Sequence, residues 1–318
     1  MTQPLRSTPS TSVAVTQFLD HCRFAKCLSD NTLVAYRLDL ADFIAYVGTR
    51  KSVSAIRRDH VRDYARELLE RRALKEATVK RRIATLRVLF RWMEREELLS
   101  LTPFHRLEIP IRVPKRLPRA LDAGEMRDLL ERSEAETRQG GQPSRYVAGL
   151  MHFIIVTLFT TGLRIGELVS VRLDDINAPD GTIRVRGKGN RERHVFLPGS
   201  KALATLTRYL RLRQHLRPRH DQLLTAEDGS PMTTHRIRKS LSSLAKRAGL
   251  PRRLTPHMLR HTAATQLLEA GVDIRVVQRL LGHSSIATTQ IYTQVTDPML
   301  RERLTSANTL DRLQRQGR

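Results

Sequence analysis

Residues 255–295 read TPHMLRHTAATQLLEAGVDIRVVQRLLGHSSIATTQIYTQV, and this stretch decides the fold of the second half of the chain. Thr255 is a good helix N-cap, and Pro256 suits the first helical position. Gly271 follows the last apolar residue of the pattern and is typical of a helix C-terminus. The sequence therefore predicts a helix between Pro256 and Gly271.

Three polar residues of this predicted helix, His257, Arg260 and His261, lie at spacings of three and four. They therefore share one face of one turn, where a guanidinium and imidazoles could handle a phosphate group. Two histidines at this spacing could instead bind zinc, but no HExxH motif or cysteine set accompanies them. Cys22 and Cys27 are five residues apart in one predicted helix and form no CxxC pair. We expect no metal and no cofactor.

The composition bounds the number of domains and the kind of partner. A length of 318 residues favours two domains. With 56 Lys and Arg against 32 Asp and Glu, the net charge of +24 indicates a polyanionic partner, and nucleic acid comes first. The basic residues are spread along the chain, which argues against a membrane patch. With no run of 18 apolar residues and no signal-peptide pattern, we expect a cytoplasmic, nucleoid-associated protein without membrane contact.

The first domain is predicted at residues 12–112 as a bundle of four amphipathic helices. The fourth helix, from Thr78 to Glu97, also carries basic residues spaced seven, four and four apart, which favours one face lying along DNA: Lys80, Arg87, Arg91 and Arg95. An ordinary solvated helix face would show the same pattern, and the overall charge favours nucleic acid.

A basic, proline-rich linker is predicted at residues 113–121, in a segment whose prolines are interleaved with basic residues. Such a chain is extended and semi-rigid. Arg112, Lys115 and Arg116 are therefore predicted to contact the nucleic-acid backbone.

The second domain, residues 122–318, is predicted to be helical with one β-hairpin. Asp122 and Glu125 open a helix that should end near Glu131, and the stretch ETRQGGQPSR at residues 136–145 is predicted as a loop. Further helices are predicted over 146–159, 201–216 and 234–248.

Two charged residues earlier in the chain, Arg164 and Lys188, also need an explanation. Arg164 begins a helix after Gly162, with Glu167 three residues on, and an intrahelical ion pair is the simple explanation of this pair. Lys188 lies at the tip of the predicted hairpin TIRVRGKGNRERHVFLP, where most lysines only keep a turn hydrated.

Taken together, these motifs resemble the tyrosine recombinase (phage integrase) family, and its Xer-type members in particular. They occur in the family's order: TTGLRIGELVS, GKGNRER, PHMLRH and LGHSSIATTQIYTQV. More loosely, LSDNTLVAYRLDL resembles the family's core-binding domain. The implied fold is mainly α with a small β-hairpin or sheet: a helical, SAM-like core-binding bundle and a catalytic domain that form a C-shaped clamp on DNA.

The resemblance implies a role for each site residue in cleaving a DNA phosphodiester. Cleavage without metal needs a nucleophile, neutralisation of the phosphate charge and an acid for the leaving oxygen. Tyr292 would attack to form a 3′-phosphotyrosyl link, Arg164 and Arg260 would clamp the phosphate, and Lys188 would be the general acid. His257 and His283 would donate to the phosphate, with His257 also able to accept the tyrosine proton. Glu167 and His261 would be supporting residues.

The implied function is site-specific recombination through a Holliday junction, without metal or ATP. The expected partners are double-stranded DNA with paired inverted-repeat sites and a tetramer on that DNA, either homomeric or formed with a related recombinase. The tail after Tyr292 would contact a neighbouring protomer, as in relatives, or pack on its own domain. The biological role is either movement of a mobile element or resolution of chromosome or plasmid dimers. The alternatives are a topoisomerase of type IB and a catalytically silent DNA-binding regulator.

Overall fold

The computed structural model describes residues 9–113, 120–139, 144–187 and 192–282. The chain divides into two compact units, Met1–Arg116 and Leu117–Arg318. Within the described ranges, no helix is both long and apolar enough to cross a membrane.

The first unit contains the four predicted helices, with ends that differ from the predicted ones by a few residues. They are α1 (Thr11–Asp20), α2 (Asp30–Val47), α3 (Arg58–Arg66) and α4 (Glu76–Arg95). α1 and α3 each continue into a π-helical turn, which is why buried apolar positions extend to Cys22 and Leu68. Cys27, predicted within the first helix, lies beyond it and is exposed. The predicted helical bundle is confirmed.

Two aspartates of α2 fix the orientation of α4. Asp39 is buried and accepts hydrogen bonds from Thr85, at 2.9 Å, and from Arg81. Asp42 accepts from Arg82 at 2.5 Å. The apolar stripe of α4 is buried in the core, and residues on the other side of the helix, such as Arg87 and Arg91, are exposed.

The second unit is built around a buried helix. Its helices are α5 (Ala123–Arg138), α6 (Arg145–Thr161), α7 (Ile165–Ser170), α8 (Gly199–Leu216), α9 (Thr234–Arg247), α10 (Pro256–Glu269) and α11 (Ile274–Leu281). α6 packs against α5, α8 and α10, and Phe153, Ile154 and Leu158 are fully buried in the core. An apolar helix surrounded in this way holds its C-terminal end, at Gly162, in a fixed place.

A small antiparallel sheet lies beside these helices. Its strands are β1 (Ile176–Asn177), β2 (Thr182–Arg186) and β3 (Glu192–Phe196), in that order across the sheet. The predicted hairpin is confirmed as β2 and β3, whereas the two-residue β1 is too short to give a sequence pattern. Val185 lies opposite Arg193, and Ile183 lies opposite Val195, so these four side chains share the inward face.

The predicted end of α5 at Glu131 is wrong, and so is part of the predicted loop at 136–145. α5 continues to Arg138. Glu136 is buried and accepts hydrogen bonds from Arg132 at 3.0 Å and from Arg247 of α9 at 2.7 Å. The helix continues because this carboxylate is neutralised by both arginines. The contact with Arg247 is long-range, and local sequence patterns do not reveal it.

Candidate active site

One pocket of the second unit brings together three of the predicted site residues. It has a volume of about 260 Å³ and lies between the α6–α7 turn, α9 and the start of α10. Its lining residues are Leu163, Arg164, Ile165, Arg238, Thr255, Pro256, His257 and Arg260. The predicted residues Arg164, His257 and Arg260 therefore share one concave, cationic surface.

The start of α10 places His257 and Arg260 as the opening stretch of sequence predicts. The Thr255 side chain caps the helix by accepting from the backbone N–H of Met258 at 3.2 Å, and Pro256 occupies the first turn. His257 is exposed at the pocket, while Arg260, one turn further on, has only 2% of its surface exposed.

Backbone carbonyls hold the guanidinium of Arg260. Its Nη1 donates to the carbonyl oxygen of Gly162 at 2.6 Å, and its Nη2 donates to that of Leu281 at 2.7 Å. Gly162 ends α6 in the left-handed conformation (φ 62°), which presents this carbonyl to α10. Two fixed acceptors define the plane of the guanidinium before any ligand binds.

Arg164 lies at the N-cap of α7 and is partly exposed to the pocket. Its Nη1 donates to Glu167 at 2.9 Å, and its Nη2 donates to the carbonyl of Gly282 at 3.5 Å. Glu167 also accepts from the backbone N–H of Arg164 at 2.9 Å. The intrahelical ion pair considered from the sequence is thus present, and the side chain remains 46% exposed for a second partner.

Arg193 of β3, which is not among the predicted site residues, also contacts Glu167. It forms a two-point ion pair with Glu167: Nη2 to Oε2 at 2.8 Å and Nη1 to Oε1 at 3.2 Å. In the segment ERHVF, Arg193 alternates with the buried Val195, so it occupies an inward position of the strand. A charged residue at an inward position needs a buried partner, and this was the signal that could have identified it.

The surroundings of the site lower the pKa values of Glu167 and His257. Burial alone would raise the pKa of Glu167, but the hydrogen bonds and charges of Arg193 and Arg164 outweigh it, so the pKa lies below 4.5. The pKa of His257 lies below 6.5, first because part of the ring is desolvated and then because Arg260 and Arg164 are close. At pH 7 Glu167 is therefore ionised and His257 is neutral.

His261 is buried on α10, with 6% of its surface exposed, and does not line the pocket. Among the residues that the structure describes, no group of three or more His, Cys, Asp or Glu side chains is arranged to hold a metal ion.

The remaining predicted site residues divide into two sets. Lys188, His283 and Tyr292, with Lys115 and Arg116 of the linker and the tail after Tyr292, lie outside the described residues. The basic residues predicted to contact DNA from α4 are all exposed, as is Arg112: Lys80, Arg87, Arg91 and Arg95. The Arg87 guanidinium lies 5.3 Å from the centre of the Phe104 ring, a cation–π contact that holds it along the helix surface.

Comparison with protein families and known proteins places this pocket in context. The model of the phage integrase family matches residues 119–299, and that of the N-terminal SAM-like domain of phage integrases matches residues 15–97. The chain is 36% identical to tyrosine recombinase XerD of Pseudomonas putida over 91% of this chain and 94% of the relative. It is 31% identical to tyrosine recombinase XerC of Leptospira interrogans, over 94% of each chain.

A solved structure of XerH site-specific recombinase, bound to its palindromic difH substrate after cleavage, is similar in fold, with a TM-score of 0.76. The match covers 96% of this chain and 99% of the other at 22% identity, so it supports the fold alone. The family matches and the Xer relatives show that the chain belongs to the phage integrase family and is a tyrosine recombinase.

Proposed function

We propose that this recombinase cleaves DNA at the pocket of Arg164, His257 and Arg260, with Tyr292 as the nucleophile. The observation that carries the proposal is the shared pocket, in which two arginines and a neutral imidazole converge. Guanidinium groups are always charged and donate parallel hydrogen bonds, which suits two non-bridging phosphate oxygens. Because backbone carbonyls already orient Arg260, little reorganisation is needed when the phosphate enters.

The proposed chemistry has two proton transfers. The Tyr292 hydroxyl attacks phosphorus, its proton passes to neutral His257 or to solvent, and the 5′-oxygen leaves with a proton from Lys188. His283 donates to a phosphate oxygen, while Glu167 and His261 support the arginines and the helix. The 3′-phosphotyrosyl link conserves the bond energy, so a 5′-hydroxyl from a second duplex can reverse the step and exchange strands. No ATP or metal is required.

The proposed partners follow from the charge and the family. A net charge of +24 suits a long DNA contact, to which both domains and the linker contribute basic residues. Paired inverted repeats, four protomers and a Holliday junction complete the proposal, either with identical subunits or with a related recombinase, at the nucleoid. The biological role is either movement of a mobile element or resolution of chromosome or plasmid dimers.

Adduct formation tests the nucleophile. The probe is a duplex that the protein selects from a randomised pool, nicked so that the cleaved end diffuses away. We expect a covalent protein–DNA adduct with the parent and with Tyr46→Phe, a control in the first unit, and none with Tyr292→Phe. An adduct formed by Tyr292→Phe at the parental rate would remove the assignment.

A sulfur-substituted probe tests the general acid. Lys188→Ala should slow cleavage much less when the leaving 5′-oxygen is replaced by sulfur, because a thiolate leaves without a proton. If Lys188→Ala lost the same fraction of the cleavage rate on both probes, Lys188 would not be the general acid.

A further inference from the structure

We propose that Arg193 is a positioning residue for phosphate cleavage: it holds Glu167 and the carbonyl end of α11, and thereby fixes Arg164 in the pocket. The inference rests on the proposed function, because Arg164 is taken to bind the phosphate. Arg193 does not line the pocket and acts through its neighbours.

Arg193 connects three separate elements of the second unit. From β3 it reaches Glu167 of α7 through two hydrogen bonds, and its Nε donates to the carbonyl of Leu280 in α11 at 3.2 Å. Its side chain is only 16% exposed, and that of Glu167 is 8% exposed. A buried guanidinium with three directed hydrogen bonds is rigid, so the relative placement of these elements depends on it.

Three arginines donate to the C-terminal end of α11. Three consecutive carbonyl oxygens each accept from a different element: Leu280 from Arg193 at 3.2 Å, Leu281 from Arg260 at 2.7 Å and Gly282 from Arg164 at 3.5 Å. Carbonyls at a helix C-terminus lack helical partners and carry partial negative charge, which explains the cationic donors. Arg193 thus shares one anchoring point with both proposed phosphate-binding arginines.

Arg193 also neutralises the charge of Glu167, which affects how Arg164 can bind a phosphate. Glu167 accepts side-chain hydrogen bonds from both Arg164 and Arg193. With Arg193 present, the two-point pair neutralises the carboxylate, and the charge of Arg164 remains available to a phosphate. Without Arg193, the buried carboxylate would draw on Arg164 and weaken its contact with the ligand.

Gly282 shows how closely Arg193 packs here. A Cβ at this position would lie 2.9 Å from both Cζ and Nη1 of Arg193. The guanidinium therefore lies against the backbone that ends α11, immediately before His283 in the chain.

The test uses Arg193→Gln and Arg193→Lys in single-turnover adduct formation on the nicked, protein-selected duplex at saturating DNA. We expect Arg193→Gln to lower the rate constant about 100-fold, the cost of displacing a catalytic group by roughly 1 Å. The Kd for DNA should change by less than about 3-fold, because the lost interaction acts in the transition state. Arg193→Lys keeps the charge without the two-point geometry and should recover part of the rate.

The control is Arg184→Gln, which removes an arginine of the neighbouring strand. Arg184 pairs with Asp175 at 2.8 Å on the opposite face of the sheet, and its loss should leave the rate constant unchanged. A purely structural role for Arg193 would lower the amplitude of adduct formation and leave the rate constant intact, and that result would overturn the inference.

A double substitution checks that Arg193 acts through Glu167. In a Glu167→Gln background, Arg193→Gln should lower the rate constant of adduct formation by less than about 5-fold, because the charge that Arg193 neutralises is already gone. If the double variant lost as much rate as the two single substitutions combined, the inference would be overturned. A parent that forms no adduct overturns the proposed function together with the inference, whereas a parental rate constant in Arg193→Gln overturns the inference alone.

Discussion

Nη2 of Arg260 donates to the carbonyl oxygen of Leu281 at 2.7 Å, which joins the second turn of α10 to the last residue of α11. The other edge of the same guanidinium reaches Gly162 at the end of α6. Arg260 is therefore both a pocket residue and the link that holds two helix ends together. The proposed catalytic role and the local packing depend on the same planar group.

Replacement of Arg260 by lysine should lower both activity and stability. A single ammonium cannot satisfy two carbonyls in different directions, so we expect a loss of about 1–3 kcal/mol in the free energy of unfolding. Adduct formation should fall about 100-fold or more, because the phosphate loses an oriented donor. Denaturant unfolding and single-turnover cleavage measure the two effects.

Arg213→Lys is the matched control for that substitution. Arg213 is also buried, and its guanidinium donates to backbone carbonyls, among them those of His220 at 2.7 Å and Gln222 at 2.9 Å. It lies away from the pocket, so its replacement should cost similar stability and leave the cleavage rate constant unchanged. Equal rate constants in the two lysine variants would contradict a chemical role for Arg260.

Gly162→Ala should destabilise the second unit by about 1–3 kcal/mol. Gly162 has a φ of +62°, and a Cβ there would collide with the Leu281 side chain. Gly166→Ala is the control: it lies in α7, its added Cβ would meet nothing within 4 Å, and alanine is the better helix former. In thermal unfolding, we expect a lower Tm for Gly162→Ala and an unchanged or higher Tm for Gly166→Ala. Unchanged stability in Gly162→Ala would mean that the turn can relax.

Local patterns in the sequence were sufficient to predict most helices and the start of the site. The N-cap Thr255, the Pro256 that follows it and the stop at Gly162 are short-range signals, and the structure has each in its expected place. The shared pocket of Arg164 and Arg260 could be expected only from the family resemblance, because 96 positions of chain separate them and spacing carries no information at that distance.

The features that were not predicted from the sequence depend on long-range partners. α5 extends past Glu131 because Glu136 meets Arg247, which is 111 positions away. Arg193 was overlooked because its partner Glu167 lies on another element, although its inward position in β3 was visible in the alternation. Buried ion pairs of this kind are formed by the tertiary fold. Their only sign in the sequence is a charged residue at a position where the pattern predicts an apolar one.

His257 should titrate below pH 6.5 in the protein without DNA, and Arg164→Gln should raise its pKa. Partial burial and the charges of Arg260 and Arg164 all disfavour the imidazolium, so removing one charge relieves part of the shift. Because the pKa in the folded state is lowered, the linked contribution to stability is present above pH 6.5 and is lost as the pH falls through the lowered value. NMR titration of the imidazole measures the pKa of His257. The control is Arg172→Gln, which replaces a surface arginine paired with Asp221. A midpoint that does not move in Arg164→Gln would contradict the proximity of the two charges.

The exposed face of α4 should contribute to DNA affinity through phosphates. Arg91→Gln should weaken binding to the selected duplex and reduce the slope of log Kd against log salt by about 0.9, the value for one lost phosphate contact. Arg62→Gln is the control, since Arg62 is also exposed on the first unit but pairs with Asp59 at 2.9 Å, and its loss should leave the slope unchanged. Fluorescence anisotropy between low and physiological salt gives both slopes. If both variants lose affinity equally with no change in slope, the face of α4 is an ordinary solvated surface, and the DNA contacts of the first unit must be sought on another helix.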